Sequence, residues 1–141
     1  SREVITENTA FLMANLLQGV VDEGTGRRLR FRYGFKNQIG GKTGTTQNHS
    51  DGWFIGITPD LAGGGWVGAE DRSIHFQNLA NGQGASMALP IWALQKVYAD
   101  KSLAVPQSDF QKPNGVNHVL DCGDADREGM TDYDSSDEIF D

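Results

Sequence analysis

Gly40-Gly41-Lys42-Thr43-Gly44-Thr45-Thr46 is the stretch on which the reading of this 141-residue chain turns. It closes a segment, Asn37 to Thr43, whose composition suits a strand, and two further strand candidates follow it closely. Gly52 to Thr58 places Trp53, Ile55 and Ile57 on one face, and about Gly64 to Ala69 contains Trp66 and Val67. Thr58-Pro59-Asp60-Leu61 lies between these two, with proline where a type I turn takes it, so an antiparallel hairpin is expected.

On the N-terminal side, Leu12, Met13, Leu16, Leu17, Val20 and Val21 recur at three- and four-residue intervals, which predicts an amphipathic helix from Thr6 to about Glu23. Thr6 or Asn8 can cap its start, and Gly24-Thr25-Gly26 reads as a tight exit. Arg28-Leu29-Arg30-Phe31-Arg32-Tyr33 alternates basic and apolar residues and reads as a solvated strand or long loop. On the C-terminal side, Ser73 to Ala85 is loop-like, and Ser86 to about Asp100 predicts a second helix carrying Met87, Ile91, Leu94 and Val97 or Tyr98 towards the core. Pro90 fits there only in the first turn or at a kink. The expected architecture is α+β, with the helices at roughly 6–23 and 86–100 packed on one face of an antiparallel sheet that contains the Lys42 strand.

The length allows one domain with a modest core. The net charge of −7 is unevenly distributed: residues 1–105 carry nine acids and ten bases, whereas residues 106–141 carry ten acids and two bases. Residues 1–105 are therefore expected to form the folded unit and 106–141 a disordered acidic tail. Thirteen of the 18 glycines lie between Gly19 and Gly68, which concentrates close backbone approaches around the Lys42 strand. No apolar run approaches the ~20 residues of a membrane span, and the start Ser1-Arg2-Glu3-Val4-Ile5 has no signal-peptide pattern. The lone Cys122 excludes an intrachain disulfide and a multi-cysteine zinc site.

Gly40 to Thr46 superficially resembles a phosphate loop. That pattern requires a glycine five positions before Gly41, where Lys36 stands, and a helix after the loop, where Gln47-Asn48-His49-Ser50-Asp51-Gly52 does not read as one. An ammonium and two hydroxyls along a strand suit a carboxylate better, because Lys42 supplies charge while Thr43 and Thr45 supply directed donors. Gly44, lacking a Cβ, lets a ligand approach the strand. The remaining candidates have blander readings. His49, His75 and His118 lack metal-ligand spacing, although His49 is close enough to Lys42 to line a cleft. Trp53, Trp66 and Trp92 sit in apolar patterns and are assigned to the core rather than to sugar stacking. Arg27, Arg28, Arg30 and Arg32 read as a solvated face, not a nucleic-acid surface. Asp124, Asp126, Glu128 and Gly129 mimic the start of a calcium loop, but Ser135 stands where its bidentate glutamate belongs.

Lys-Thr-Gly also belongs to a set of motifs shared by penicillin-binding proteins and serine β-lactamases. Here it is preceded by Leu16-Leu17-Gln18-Gly19-Val20-Val21 and Gly24-Thr25-Gly26. It is followed by Asp51-Gly52-Trp53-Phe54-Ile55-Gly56, Thr58-Pro59-Asp60-Leu61, Trp66-Val67-Gly68 and Ala88-Leu89-Pro90-Ile91-Trp92. In order and spacing, residues of about 5–103 resemble the C-terminal part of the transpeptidase domain of class A, bifunctional penicillin-binding proteins. The resemblance implies a peptidoglycan D,D-transpeptidase that works without a cofactor on the extracytoplasmic, periplasmic face of the bacterial cytoplasmic membrane, anchored by a segment outside this chain. It is acylated on serine by D-Ala-D-Ala stem peptides or β-lactams, with no nucleic-acid partner. Carried over to this chain, Lys42 charges the cleft, Thr43 and Thr45 bind the terminal carboxylate, and the Thr45 N–H forms half the oxyanion hole. Gly44 and Thr46 complete the substrate-binding set. One departure matters: no serine is followed three residues later by lysine, and no Ser-x-Asn occurs. The chain is therefore expected to be inactive alone, as part of a longer enzyme in which it meets the rest of the transpeptidase domain. The alternative is a non-catalytic peptidoglycan- or protein-binding module that keeps the fold.

Overall fold

The computed structural model describes residues 4–116. Its elements run α1 (Glu7–Asp22), α2 (Arg28–Phe31), β1 (Gly40–Thr45), β2 (Asp51–Ile57), β3 (Ala62–Gly68), α3 (Leu79–Gly82), α4 (Gly84–Met87) and α5 (Leu89–Ser102). The strands form an antiparallel sheet in the order β1-β2-β3. This is the expected α+β arrangement, with boundaries shifted by one to three residues in the strands. The hairpin turn also forms where expected: Thr58 N donates to Leu61 O at 2.7 Å, and the Thr58 hydroxyl accepts from the Leu61 N–H at 3.0 Å.

The helix α1 starts at Thr6, whose hydroxyl accepts from Thr9 N. It ends where Gly24 N donates to Gly19 O and Gly26 N to Val20 O. A Cβ at Gly24 would stand 2.9 Å from Val20 Cα, so the sharp exit requires glycine. In α5, Pro90 falls in the first turn, where its missing N–H costs nothing. No helix among the described residues is long and apolar enough to cross a membrane.

The core inverts the expected division of labour between sheet and helices. Gly52, Phe54 and Gly56 are the buried positions of β2, while Trp53 and Ile55 are exposed. Glycines on this inner face let α4 and α5 approach closely. A Cβ on Gly52 would collide with Met87, on Gly56 with Trp92, and on Gly65 with the Ala88 carbonyl. The bulk that fills the core comes from helix and loop. Trp92 is 1% exposed, meets Phe54 edge-on at 5.6 Å between ring centroids, and donates its indole N–H to Gly56 O at 3.2 Å. Val21, Leu29, Ile39, Ala88, Leu89 and Ala93 close around this pair.

Several sequence-based expectations are corrected by this packing. Trp53 and Trp66 are not core residues: they face each other on the outer side of the sheet, with centroids 6.3 Å apart and nearly half their surface exposed. In α5 the buried face is Leu89, Trp92, Ala93, Lys96 and Ala99, whereas Leu94 and Tyr98 face outwards and Ile91, 37% exposed, stands at the margin with its Cβ towards Gly65. Lys96 misled the periodicity, because it is fully buried at a core position with its ammonium on Asp100 and over the Phe35 ring. Met13 and Leu16 of α1 are likewise exposed. The helices do not share one face: α4 and α5 cover Phe54, while Leu17 and the Ala14 carbonyl of α1 close on Gly40 on the side of Ile57.

The arginine-rich segment is not an extended, solvated strand. It forms α2 with Leu29 fully buried, and Arg30 bonds to Asp22 and to the carbonyls of Phe35 and Asn37. Those bonds satisfy groups at the turn into β1, which a strand would have left open. The loop-like stretch 73–85 contains α3 and the start of α4. Residues 106–116, grouped with the tail on composition, return to the body: Ser108 donates from N and Oγ to Asp60, Phe110 N donates to Gln38, and Val116 is buried. His118, Cys122, the acidic residues after 116 and the calcium-loop mimic lie outside the described residues.

Candidate functional site

The register of β1 on β2 pairs Thr45 with Gly52 and Thr43 with Phe54. The next row is hydrogen-bonded, since Thr46 N donates to Asp51 O at 3.1 Å. Rows alternate in an antiparallel pair, so Gly44 and Lys42 also bond to β2, while Thr43 and Thr45 turn their N–H and C=O groups away from it. Those groups face an edge on which no strand is paired among the described residues.

Side chains alternate across the same strand. Lys42 is exposed on the side of Ile55, and its ammonium donates to the outward Thr43 carbonyl at 2.7 Å. Neither ion pair among the described residues, Arg30–Asp22 or Lys96–Asp100, involves it, so its charge stands open at the edge. Thr43 and Thr45 lie on the other side. The Thr45 hydroxyl accepts from Gly84 N at 2.9 Å, which leaves its single proton free to donate. The Thr43 hydroxyl is 2.8 Å from the Thr25 hydroxyl. A Cβ at Gly44 would make only an ordinary 3.4 Å contact with Trp53, so packing does not demand glycine there. The space it leaves is available to a ligand.

Thr46 is engaged differently. Its hydroxyl accepts from Asp51 N at 3.1 Å, and it lies 3.1 Å from the Ser50 hydroxyl and 3.2 Å from Asp51 O. These bonds close the turn between β1 and β2, in which Asn48 and His49 hold left-handed φ values of 60° and 55°. His49 is packed against Gly82, and its Nδ1 is buried without a hydrogen-bond partner. His75 bonds locally to the Phe76 carbonyl. Among the described residues no group of three or more His, Cys, Asp or Glu could hold a metal ion.

The structure therefore brings Lys42, Thr43, Gly44 and Thr45 together at one open edge and assigns the Thr46 hydroxyl to the turn behind it. Three residues around the site carried no signal at their sequence separation. Thr25 is 18 residues from Thr43, and Gly84 is 39 from Thr45. Arg28 donates to Ala85 O and the Ser86 hydroxyl at 3.1 and 3.0 Å, which ties α2 to α4. Gly84 has to be glycine, because a Cβ there would stand 2.4 Å from Gly44 O and 2.5 Å from Trp53 O.

The chain is similar to known proteins over most of its length. The model of the penicillin-binding protein transpeptidase domain matches residues 1–71. The chain is 34% identical over 118 residues to penicillin-binding protein 1A of Pseudomonas aeruginosa, covering 82% of this chain and 13% of that protein. It is 33% identical over 112 residues to penicillin-binding protein 1A of Aquifex aeolicus, covering 79% of this chain and 14% of that protein. In three dimensions it matches the crystal structure of penicillin-binding protein 1A from Haemophilus influenzae with a TM-score of 0.66 at 26% identity, over 81% of this chain and 17% of that one.

Proposed function

Because the chain belongs to the penicillin-binding protein transpeptidase family, we propose that the outer edge of β1 is the carboxylate and oxyanion receptor of a serine-type peptidoglycan D,D-transpeptidase. The single observation that carries this is the outward pair Thr43 and Thr45, each offering an N–H and a hydroxyl at an edge beside the Lys42 ammonium. A D-Ala-D-Ala peptide laid along that edge places its terminal carboxylate on Lys42, Thr43 and Thr45. Its scissile carbonyl then reaches the Thr45 N–H. One such donor, aimed at a developing oxyanion, is worth ~3 kcal/mol in the transition state. A β-lactam carries the same carboxylate and reactive carbonyl and occupies the same receptor.

The residues that complete acyl transfer are not in this chain, which contains neither Ser-x-x-Lys nor Ser-x-Asn and spans 13% of the Pseudomonas relative. We assign them to the remainder of the transpeptidase domain in a longer, periplasmic enzyme. The exposed outer face of Trp53, Ile55 and Trp66 supports a docking place for that remainder, since a cluster of large apolar side chains on an open sheet face is costly in water. The test is intact-mass analysis of this chain and of the longer enzyme after treatment with benzylpenicillin. The longer enzyme is expected to gain one acyl group and the chain alone none. A stoichiometric adduct on the chain alone would mean a nucleophile within these 141 residues and overturn the division of roles.

A further inference from the structure

Thr25 has no part in the receptor described above, yet its hydroxyl lies 2.8 Å from that of Thr43. Its position is strongly constrained. The N–H groups of Gly24 and Gly26 are bonded to the last carbonyls of α1, those of Gly19 and Val20, at 3.1 and 2.8 Å. A Cβ at Gly24 or Gly26 would press on Val20, 2.9 Å from its Cα or 3.1 Å from its carbonyl oxygen. The turn is thus fastened to the end of α1 on both sides of Thr25, with no room for a Cβ at Gly24 and little at Gly26. Arg28 then links the following helix to α4, whose Gly84 N–H holds the Thr45 hydroxyl. Both receptor hydroxyls are consequently bonded by groups outside the strand, and those groups belong to one connected support.

We propose that Thr25 is a positioning residue of the carboxylate receptor, holding the Thr43 hydroxyl with its proton turned to the ligand. The inference rests on the function proposed above. Each hydroxyl has one proton, so a bonded pair consumes one and leaves one free. A carboxylate only accepts, and when it takes the Thr43 proton, the hydrogen bond between the threonines must run from Thr25 to Thr43. That bond in turn polarises the Thr43 hydroxyl towards the anion. The pair is exposed, so water replaces a lost partner in part and the effect is moderate.

The experiment compares acylation of the longer enzyme by benzylpenicillin with acylation by its methyl ester, which lacks the anionic carboxylate. Thr25→Val keeps the side-chain shape and removes the hydroxyl. It is expected to slow the acid by about three- to tenfold, the size of one net hydrogen bond, and to leave the ester rate unchanged. Thr25→Ser is expected to restore the acid rate. Equal slowing of acid and ester by Thr25→Val, or an unchanged acid rate, overturns the inference. Thr45→Ala in parallel separates the two readings. If it too fails to discriminate acid from ester, the receptor itself is misplaced; if it discriminates and Thr25→Val does not, only the role of Thr25 falls.

Discussion

At the scale of single residues, Thr45, the last residue of β1, and the adjoining Thr46 have the same side chain and different duties, set by where the strand's hydrogen-bonding alternation leaves them. Thr45 turns its N–H outward and keeps a donor proton, so in the proposed receptor Thr45→Ala takes a hydroxyl away from the carboxylate and leaves the N–H assigned to the oxyanion intact. Losing a hydrogen bond to a charged group costs ~1.5–3 kcal/mol, which is roughly 10- to 150-fold in acylation efficiency. Lys42→Ala removes a charge as well as a donor and is expected to cost at least as much. The measurement is the second-order rate of acylation by a β-lactam in the longer enzyme, with circular dichroism to confirm the fold. Parental rates in both variants would show that this edge is not the receptor. Thr46→Val should behave in the opposite way, because the hydroxyl it removes closes the turn to Asp51. Stranding the part-buried Asp51 N–H costs about 1–3 kcal/mol of stability, so a lowered melting temperature is expected in this variant.

At the scale of elements, sheet and helix fit because small residues on one meet large residues on the other. The inner positions of β2 and β3 include Gly52, Gly56 and Gly65, and the matching bulk is Met87, Trp92 and Ile91. Gly56→Ala places a Cβ 2.4 Å from the Trp92 ring, with the ring held by Phe54 and by its own hydrogen bond to Gly56 O. Overpacking of this kind costs ~1–3 kcal/mol. Leu94→Gln, on the exposed side of the same helix, should change stability by no more than about 0.5 kcal/mol. Urea unfolding of the two variants checks the assignment of faces, and a larger loss from Leu94→Gln than from Gly56→Ala would reverse it.

At the scale of the whole molecule, the segment that follows α5 turns back across the body. Ser108 bonds to Asp60 at the hairpin tip, Phe110 N to Gln38 ahead of β1, and Gln107 to Asp100 in α5. Phe110 and Pro113 also line a groove against Phe11 and Ala14 of α1. Ending the chain after residue 116 keeps these contacts, and ending it after residue 106 removes them together with buried Val116. The shorter chain is expected to be less stable by about 1–3 kcal/mol, the scale of one buried apolar side chain and a few exposed hydrogen bonds. Thermal melts of the two truncations decide the point, and coincident midpoints would show that residues 107–116 contribute no net stability.

Local chemistry determined much of this protein before any packing was considered. The Thr6 cap, the glycine exit of α1, the Thr58-Pro59-Asp60-Leu61 turn, Pro90 in a first helical turn and the Lys42-Thr43-Gly44-Thr45 run all act through nearest neighbours, and each is found where the sequence placed it. Which face of an element is buried is not a neighbour property. An apolar period assigns Trp53, Trp66 and Leu94 to the core, but the sheet is joined to its helices through glycines, and a glycine at an inner position adds nothing to such a period. Lys96 is buried for a similar reason, since its partners Asp100 and Phe35 are supplied by the helix register and by a distant loop. The same limit applies at the site. The run of Lys42 to Thr45 was legible because chemistry and spacing lie along one strand, whereas Thr25 and Gly84 meet it only after the chain has folded back over 18 and 39 residues, and Arg28 reaches Ala85 of the supporting α4 over 57. Contacts between such distant positions are decided by packing, because no local propensity or periodicity records which hydroxyl a folded backbone will place beside another.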